Sequence, residues 1–366
     1  GTYWYHSHSG LQEQQGHYGP LIIDPAGDEP VSFDRDYILL LSEFTPLHPH
    51  RIMDRLRKGE GYFNYQQTNW ADDYALSAKE RRMWAEMRMP ATDIADVTGS
   101  TYTYLANGRG PNEGLEYLFN PGERIRLRII NGSAMTFFNL RIPGLPMTVI
   151  AADGQNVKPV EVDEFQIGAA ETYDVIIEPR GQAYAIVAES MDRSGMALAM
   201  LASRPGTRAP VPPLRKPPLL DMGDMGMNHG DMGGDHGGGH GGAHSMDGMS
   251  MRDTLLLPPD VKVGPGIDMV SMAPVDKLGD PGIGLRDVEH RVLNYRMLSA
   301  LEPNHDTRTP SRLLEIHLTG NMERYMWSFD GEMYSAVSDV PIRFAWNERV
   351  RVKLVNNTMM AHPIHL

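Results

Sequence analysis

The stretch RIRLRII, residues 124–130, alternates Arg124, Arg126 and Arg128 with Ile125, Leu127 and Ile129. A period of two predicts a half-buried β-strand. YILLL, TFFNLRI, MTVIA, YDVII, AYAIV, LLEIHL and RVRVKLV read the same way, and NG, DG and PG dipeptides mark turns between them. One segment departs from this rhythm. SAKERRMWAEMRM opens with Ser77 and has Glu80 three residues on, a capping-box pattern, while Met83, Trp84 and Met87 fall on neighbouring turns. It predicts a helix whose apolar side packs on the sheet.

The strand pattern repeats. ERIRLRIING (123–132) matches ERVRVKLVNN (348–357), and upstream TYTYLANG (101–108) pairs with RYMWSFDG (324–331). Two copies of one β-rich domain follow, the first over 31–205 and the second from about 253, incomplete at Leu366. Between them, 206–252 opens with RPGTRAPVPPLRKPP, an extended Pro-rich linker. The Gly-rich run that follows carries Met222, Met225, Met227, His229, Met232, His236, His240, His244, Met246, Met249 and Met251. Such a segment cannot build a core and predicts a mobile loop.

Composition narrows the chemistry. A chain of 366 residues with 41% hydrophobic and 22% charged residues has room for two or three ordinary globular domains. No apolar run is long enough to span a bilayer. The net charge of -13 argues against a nucleic-acid partner, which needs basic patches, and suits small cations. With no cysteine, disulfides and thiolate metal sites are excluded within this stretch. Methionine is unusually common, at 24 residues.

The repeat acts as an internal control on the histidines at the two ends. Aligning its copies sets Phe137 opposite His362 and Leu140 opposite His365. GTYWYHSHS resembles GQAYAIVAE (181–189), which sets Ile186 opposite His6 and Ala188 opposite His8. The fold therefore does not demand histidine at these positions, and the pattern points to ligands. His6 and His8 are two apart on a strand, so they share a face and suit one metal or two neighbouring ones. Pro363 between His362 and His365 implies a turn or bulge, where the two imidazoles can diverge to different metals. Imidazole is compatible with Zn, Cu, Fe and Ni, whereas thioether favours Cu(I). Met359 and Met360 directly precede His362, and the Gly-rich run adds more thioethers, so copper is the metal expected. His48 and His50 flank Pro49 before a helix, and His17, His290, His305 and His317 lack a partner at useful spacing; all six read as surface or satisfied residues.

These residues carry a family resemblance. GTYWYHSHSGLQEQQGHYGPLIIDP resembles the second copper motif of multicopper oxidases, and VNNTMMAHPIHL the start of the third. ADVTGSTYTYLANG, DGQNVKPVEVDEFQIGAAETYDVIIEP, AESMDRSG and GNMERYMWSFDG are similar to the copper-resistance branch, bacterial periplasmic oxidases with a Met/His-rich insert. The resemblance covers nearly the whole chain. It implies an all-β fold of tandem cupredoxin-like Greek-key β-sandwich domains: the tail of a first domain (1–30), a second (31–205), the linker and loop (206–252) and the first part of a third (253–366). It also implies copper of types 1, 2 and 3, with Cu(I) and O2 as substrates, phenols as further ones, a periplasmic location and periplasmic copper-handling partners. By motif position His6 and His8 would bind the type 3 pair, His362 the type 1 copper and His365 the type 2 copper. Met360 and the Met/His loop would capture Cu(I).

The chain departs from the family pattern in three places. The first HxH motif, the HCH motif and the last histidine of the third motif are not in it, so as given it is expected not to turn over. A copper-sequestering protein that uses the Met/His loop and a zinc hydrolase are the rival readings; the methionine excess counts against zinc.

Overall fold

The computed structural model describes residues 1–68, 76–87, 89–221, 223–224, 253–271, 274–333, 341–358 and 360–364. Strands dominate. An antiparallel ribbon, β1 (Thr2–His6) with β2 (Tyr18–Ile22), comes first. Then follow β3 (Arg35–Phe44), α1 (Pro49–Leu56), α2 (Ala78–Met87), β4 (Thr103–Ala106) and β5 (Glu116–Leu118). Next come β6 (Ile125–Asn131), β7 (Phe138–Arg141), β8 (Met147–Ala152) and β9 (Gln155–Val162). The unit closes with β10 (Glu164–Ile167), β11 (Thr172–Ile177), β12 (Ala183–Ser190) and β13 (Met196–Ala202). Further on lie β14 (Arg312–Asn321), β15 (Met326–Phe329), β16 (Glu332–Met333) and β17 (Val350–Asn356).

β3 to β13 make two sheets, ordered β4-β3-β6-β11-β8-β9 and β10-β7-β12-β13-β5. One core joins them: Leu39, Leu127, Val149 and Val175 from the first sheet meet Phe138, Leu140, Phe165 and Ile186 from the second. Burying each such side chain contributes about 1.5–3 kcal/mol, the main force holding the sandwich together. The later strands form a sheet ordered β16-β15-β14-β17. Among the described residues no helix is long and apolar enough to cross a membrane.

The sequence repeat is a repeat of pairing. β3 runs parallel to β6 with Arg35 opposite Ile125, and β14 runs parallel to β17 with Arg312 opposite Val350. β4 lies antiparallel to β3 with Ala106 opposite Leu41, and β15 antiparallel to β14 with Phe329 opposite Leu318. The turns match as well. Asn107-Gly108 has φ 48° and 73°, and Asp330-Gly331 has 51° and 81°, the two successive positive values of a type I′ turn that NG and DG allow at low cost.

Two local expectations need correction. RIRLRII is not half-buried, because every residue of β6 is buried. β1 lies against β6 and β11, and covers the arginine face. There Arg126 Nη2 donates to Asp174 Oδ2 at 2.6 Å and Arg128 Nη1 to Thr2 Oγ1 at 2.9 Å. Glu29 and Asp36 neutralise the same guanidiniums. Second, α2 has its capping box, with Ser77 N–H donating to Glu80 Oε2 at 2.7 Å and Glu80 N–H to Ser77 Oγ at 3.3 Å. However, Trp84 packs on Ala91, Ile94 and Leu220 rather than on the main sheet core. The side chains of Met83 and Met87 lie outside the described set.

The Pro-rich linker is extended, and it is tied down. Arg215 bridges Glu164 and Glu189, both fully buried, and His290 Nε2 lies 2.7 Å from Glu164 Oε2. At its end Leu220 N–H donates to Ala91 O at 2.8 Å, and Asp221 and Asp224 pair with Arg286.

Candidate metal centre

β1 ends on His6, and His8 follows just beyond the strand. The two-residue period puts Trp4, His6 and His8 in one stack. The Trp4 and His6 rings are 4.1 Å apart, and those of His6 and His8 4.6 Å apart, inclined by 26°. Trp4 Nε1–H donates to Ala170 O at 3.1 Å, which fixes the start of the stack. The loop after His8 folds back, with Ser7 N–H donating to His17 O at 3.1 Å. That fold places Glu13 beside the histidines, in a cavity of about 270 Å³ lined by Trp4, His6, His8, Glu13, Ala170 and Pro363 among others.

His362 stands on the loop after β17. Asn356 organises this loop: its Oδ1 accepts from Thr358 N–H at 2.9 Å and its Nδ2–H donates to Met360 O at 2.6 Å. Thr358 Oγ1 lies 2.8 Å from His362 Nε2. The Trp327 ring meets His362 edge-on at 4.6 Å. Gly320 makes this possible, since a Cβ there would sit 2.6 Å from the Trp327 ring. Burial pushes the His362 imidazole down to about 4, so at neutral pH it is the uncharged form that binds metals.

His362 borders a second cavity of about 290 Å³, with Met360, Trp327, Tyr325, Met135 and Phe137. Leu11, Glu13, Ala134, Ala169 and Pro363 line both cavities. Thus the histidine motifs near the two ends of the chain face adjoining spaces. Glu13, shared by both, is raised to about 7 by burial and then by the charge of Glu43. Glu43 is itself pushed up by burial, and it accepts from the N–H groups of Ala134, Met135 and Thr136.

The described donors are imidazoles, thioethers and one perturbed carboxyl, a set that fits copper. Among the described residues no three His, Cys, Asp or Glu side chains gather closely enough to hold an ion by themselves, so His6, His8 and His362 would be part of a ligand set. His365 and Met359 lie outside the described residues. So do Met222, Met225, Met227, His229, Met232, His236, His240, His244, Met246, Met249 and Met251.

Two of the other histidines have clear structural partners. His48 caps α1, its side chain accepting from His50 N–H. His317 is buried, with Nδ1 2.7 Å from Asn357 Nδ2 and Nε2 3.0 Å from Glu315 Oε1. The sequence reading passed over Glu13, Trp327 and Thr358. Only Glu13 had a signal, its position five residues after His8 in a QEQQ loop.

Sequence models of the multicopper oxidase family match residues 1–28, 66–205 and 307–366. The copper resistance protein A homolog of Pseudomonas syringae pv. tomato is 47% identical over all of this chain and 66% of its own length. Copper resistance protein A of Escherichia coli is also 47% identical, over all of this chain and 67% of its own. The chain belongs to the multicopper oxidase family. It spans about two thirds of the length of these relatives. The crystal structure of Fet3p, a multicopper oxidase that functions in iron import, superimposes with a TM-score of 0.52 at 15% identity, covering 92% of this chain and 46% of that one. The cupredoxin-like, all-β architecture is the family's. Multicopper oxidases are oxidoreductases that bind copper at type 1, type 2 and type 3 sites.

Proposed function

We propose that this chain is part of a periplasmic copper-resistance oxidase that oxidises Cu(I), and phenols as further substrates, while reducing O2 to water. One observation carries the reading: the His6/His8 stack and the His362 loop line adjoining cavities that share five residues. Relatives named for copper resistance support Cu(I) as the substrate. His6 and His8 would hold the type 3 pair, His362 the type 1 copper and His365 the type 2 copper. Bound there, copper supplies the route for electrons from substrate to O2. The protein's own residues prepare that route. Burial keeps His362 neutral, Trp327 and Thr358 orient its ring, and Trp4 holds the stack. We assign 1–30, 31–205 and 253–366 to three cupredoxin domains and 206–252 to the linker and insert. These residues include no cysteine, so activity is expected only from the full-length protein.

Met360 lies two residues before His362 and lines the same cavity. It would dock Cu(I) beside the imidazole, and the Met/His insert would raise the local Cu(I) concentration by tethering. In the full-length enzyme Met360→Leu keeps size and apolarity but removes sulfur. It should impair cuprous oxidation while sparing oxidation of a phenolic dye. Equal loss of both, or of neither, would show that Met360 is not a substrate ligand.

A further inference from the structure

The turn between β10 and β11, residues 168–171, is the seat of the histidine strand. Ala170 O accepts from Trp4 Nε1–H at 3.1 Å, and Thr172 Oγ1 donates to Thr2 O at 3.1 Å. Steps of two residues on both segments set β1 down in one register. The His6 and His8 rings are stacked in turn on Trp4.

The seat is strained. Ala170 has φ 71°, a left-handed conformation unfavourable for a residue with a Cβ, which persists only where its surroundings fix it. Two sets of bonds do so. Ala170 N–H donates to Asn131 O at 2.9 Å, and Asn131 N–H to Glu171 O at 3.0 Å. The Glu171 side chain then closes the turn. Its Oε2 accepts from Gly168 N–H at 2.5 Å, and its Oε1 accepts from Tyr295 O–H. Glycine permits this closure, since a Cβ at Gly168 would lie 2.9 Å from the Phe137 ring.

Tyr295 comes from far along the chain, beyond the Met/His run. Its segment docks on the edges of β9 and β10 by backbone bonds. Leu293 N–H donates to Glu164 O at 3.1 Å, Lys158 N–H to Ser299 O at 2.8 Å, and Leu301 N–H to Asn156 O at 2.9 Å. The phenol is not needed for that docking. Nor does apolar burial explain it, because Tyr295 is 49% exposed. What its hydroxyl does is hold Glu171, and with it the strained turn under Trp4.

We propose that Tyr295 is a positioning residue for the copper expected at His6 and His8: through Glu171 it locks the Ala170 turn, which sets the angle of Trp4 and so of the imidazoles stacked on it. Metal affinity depends on such outer partners, because they fix the direction in which a ligand presents its lone pair. Phenylalanine would fill the same space and leave Glu171 Oε1 without this donor.

The inference rests on the reading of His6 and His8 as copper ligands, and the test separates the two. Full-length protein is prepared copper-loaded and copper-free, as parent, Tyr295→Phe, Glu171→Gln and the double variant, with His6→Ala to mark the site. In the loaded protein, copper loss to a chelator is followed. The phase that His6→Ala removes should be about tenfold faster in Tyr295→Phe, the low end of what losing an outer partner costs. Glu171→Gln should be at least as fast. The double variant should be no faster than Glu171→Gln, because the two residues act in series. In the copper-free protein, His6 should react faster with diethyl pyrocarbonate, read by peptide mass mapping, while His48 and His50 keep the parent's rates. The unfolding midpoint in urea should stay close to the parent's. A His6-dependent phase that Tyr295→Phe leaves unchanged would overturn the proposal and leave the copper reading standing. Faster reaction of all three histidines with a lowered midpoint would overturn it too, making Tyr295 merely structural. If His6 reactivity changes but no copper phase depends on His6, the copper reading falls and the positioning of the stack stands. Should Glu171→Gln not fold, Tyr295→Phe alone decides by the same comparisons.

Discussion

β6 and β17 are built from nearly the same letters, ERIRLRIING and ERVRVKLVNN, and have the same register with the parallel strand beside them. Their surroundings are opposite. β6 lies between β3 and β11 under the cover of β1, and all of it is buried. Among the described residues β17 pairs only with β14, and Arg351, Lys353 and Leu354 are exposed. Arg126 and Arg128 therefore stand in a buried charge network, whereas Lys353 meets Glu315 at the surface. A period-two pattern specifies a strand and its register. It does not specify which face is wet, because that depends on what the rest of the chain lays over it.

The loops that follow the two strands differ in the same instructive way. Asn131 and Asn356 make the same turn, accepting from Ser133 N–H at 3.1 Å and Thr358 N–H at 2.9 Å. In the first copy the buried carboxylate of Glu43 also holds the loop. Its counterpart by strand register is Gly320, opposite Trp327 where Glu43 is opposite Tyr104. Loss of that side chain clears space for Trp327 to reach His362. One copy has spent the position on rigidity, and the other has opened it for an aromatic ring beside the candidate ligand.

The largest effect should come from the buried network. Asp174→Ala leaves Arg126 and Arg128 without their shared carboxylate and should cost about 3–5 kcal/mol in urea denaturation. The matching surface change, Lys353→Ala, should leave the unfolding midpoint within error of the parent. Similar losses in the two variants would break the contrast between the strands. Glu43→Ala should come next, at about 1–3 kcal/mol, because backbone N–H groups of Ala134, Met135 and Thr136 lose their acceptor in a buried site. A neutral result would mean that the loop after β6, like the loop after β17, does not need a carboxylate to hold it.

The smallest effect is a slope. Glu13 binds its proton more tightly in the folded chain, at about 7, than its ordinary value of 4.5. Between those values the unfolded state holds fewer protons at this group, so its contribution to stability falls as pH rises from about 4.5 to 7. Glu13→Gln should flatten the profile over that window relative to the parent, measured as denaturation midpoint against pH. An unchanged slope would place Glu13 in solvent rather than between the two cavities.

Much of this protein could be read along the chain. The strands, the NG and DG turns, the capping box of Ser77 and Glu80, and the matching copies each depend on residues a few positions apart, whose backbone preferences and side-chain spacing are local. The stacking of His6 on His8 belongs here too, because the period of a strand imposes it. Tertiary structure decided the rest. It turned the arginines of β6 inward, packed Trp84 on the linker residue Leu220, set Glu13 and Pro363 on the walls of one cavity, and gathered Asp96, Asp192, Met322 and Met360 around another. No periodicity encodes such meetings. They follow from which sheet faces cover one another when the core closes, and there burial, not sequence neighbourhood, sets the charge state and partners of each side chain.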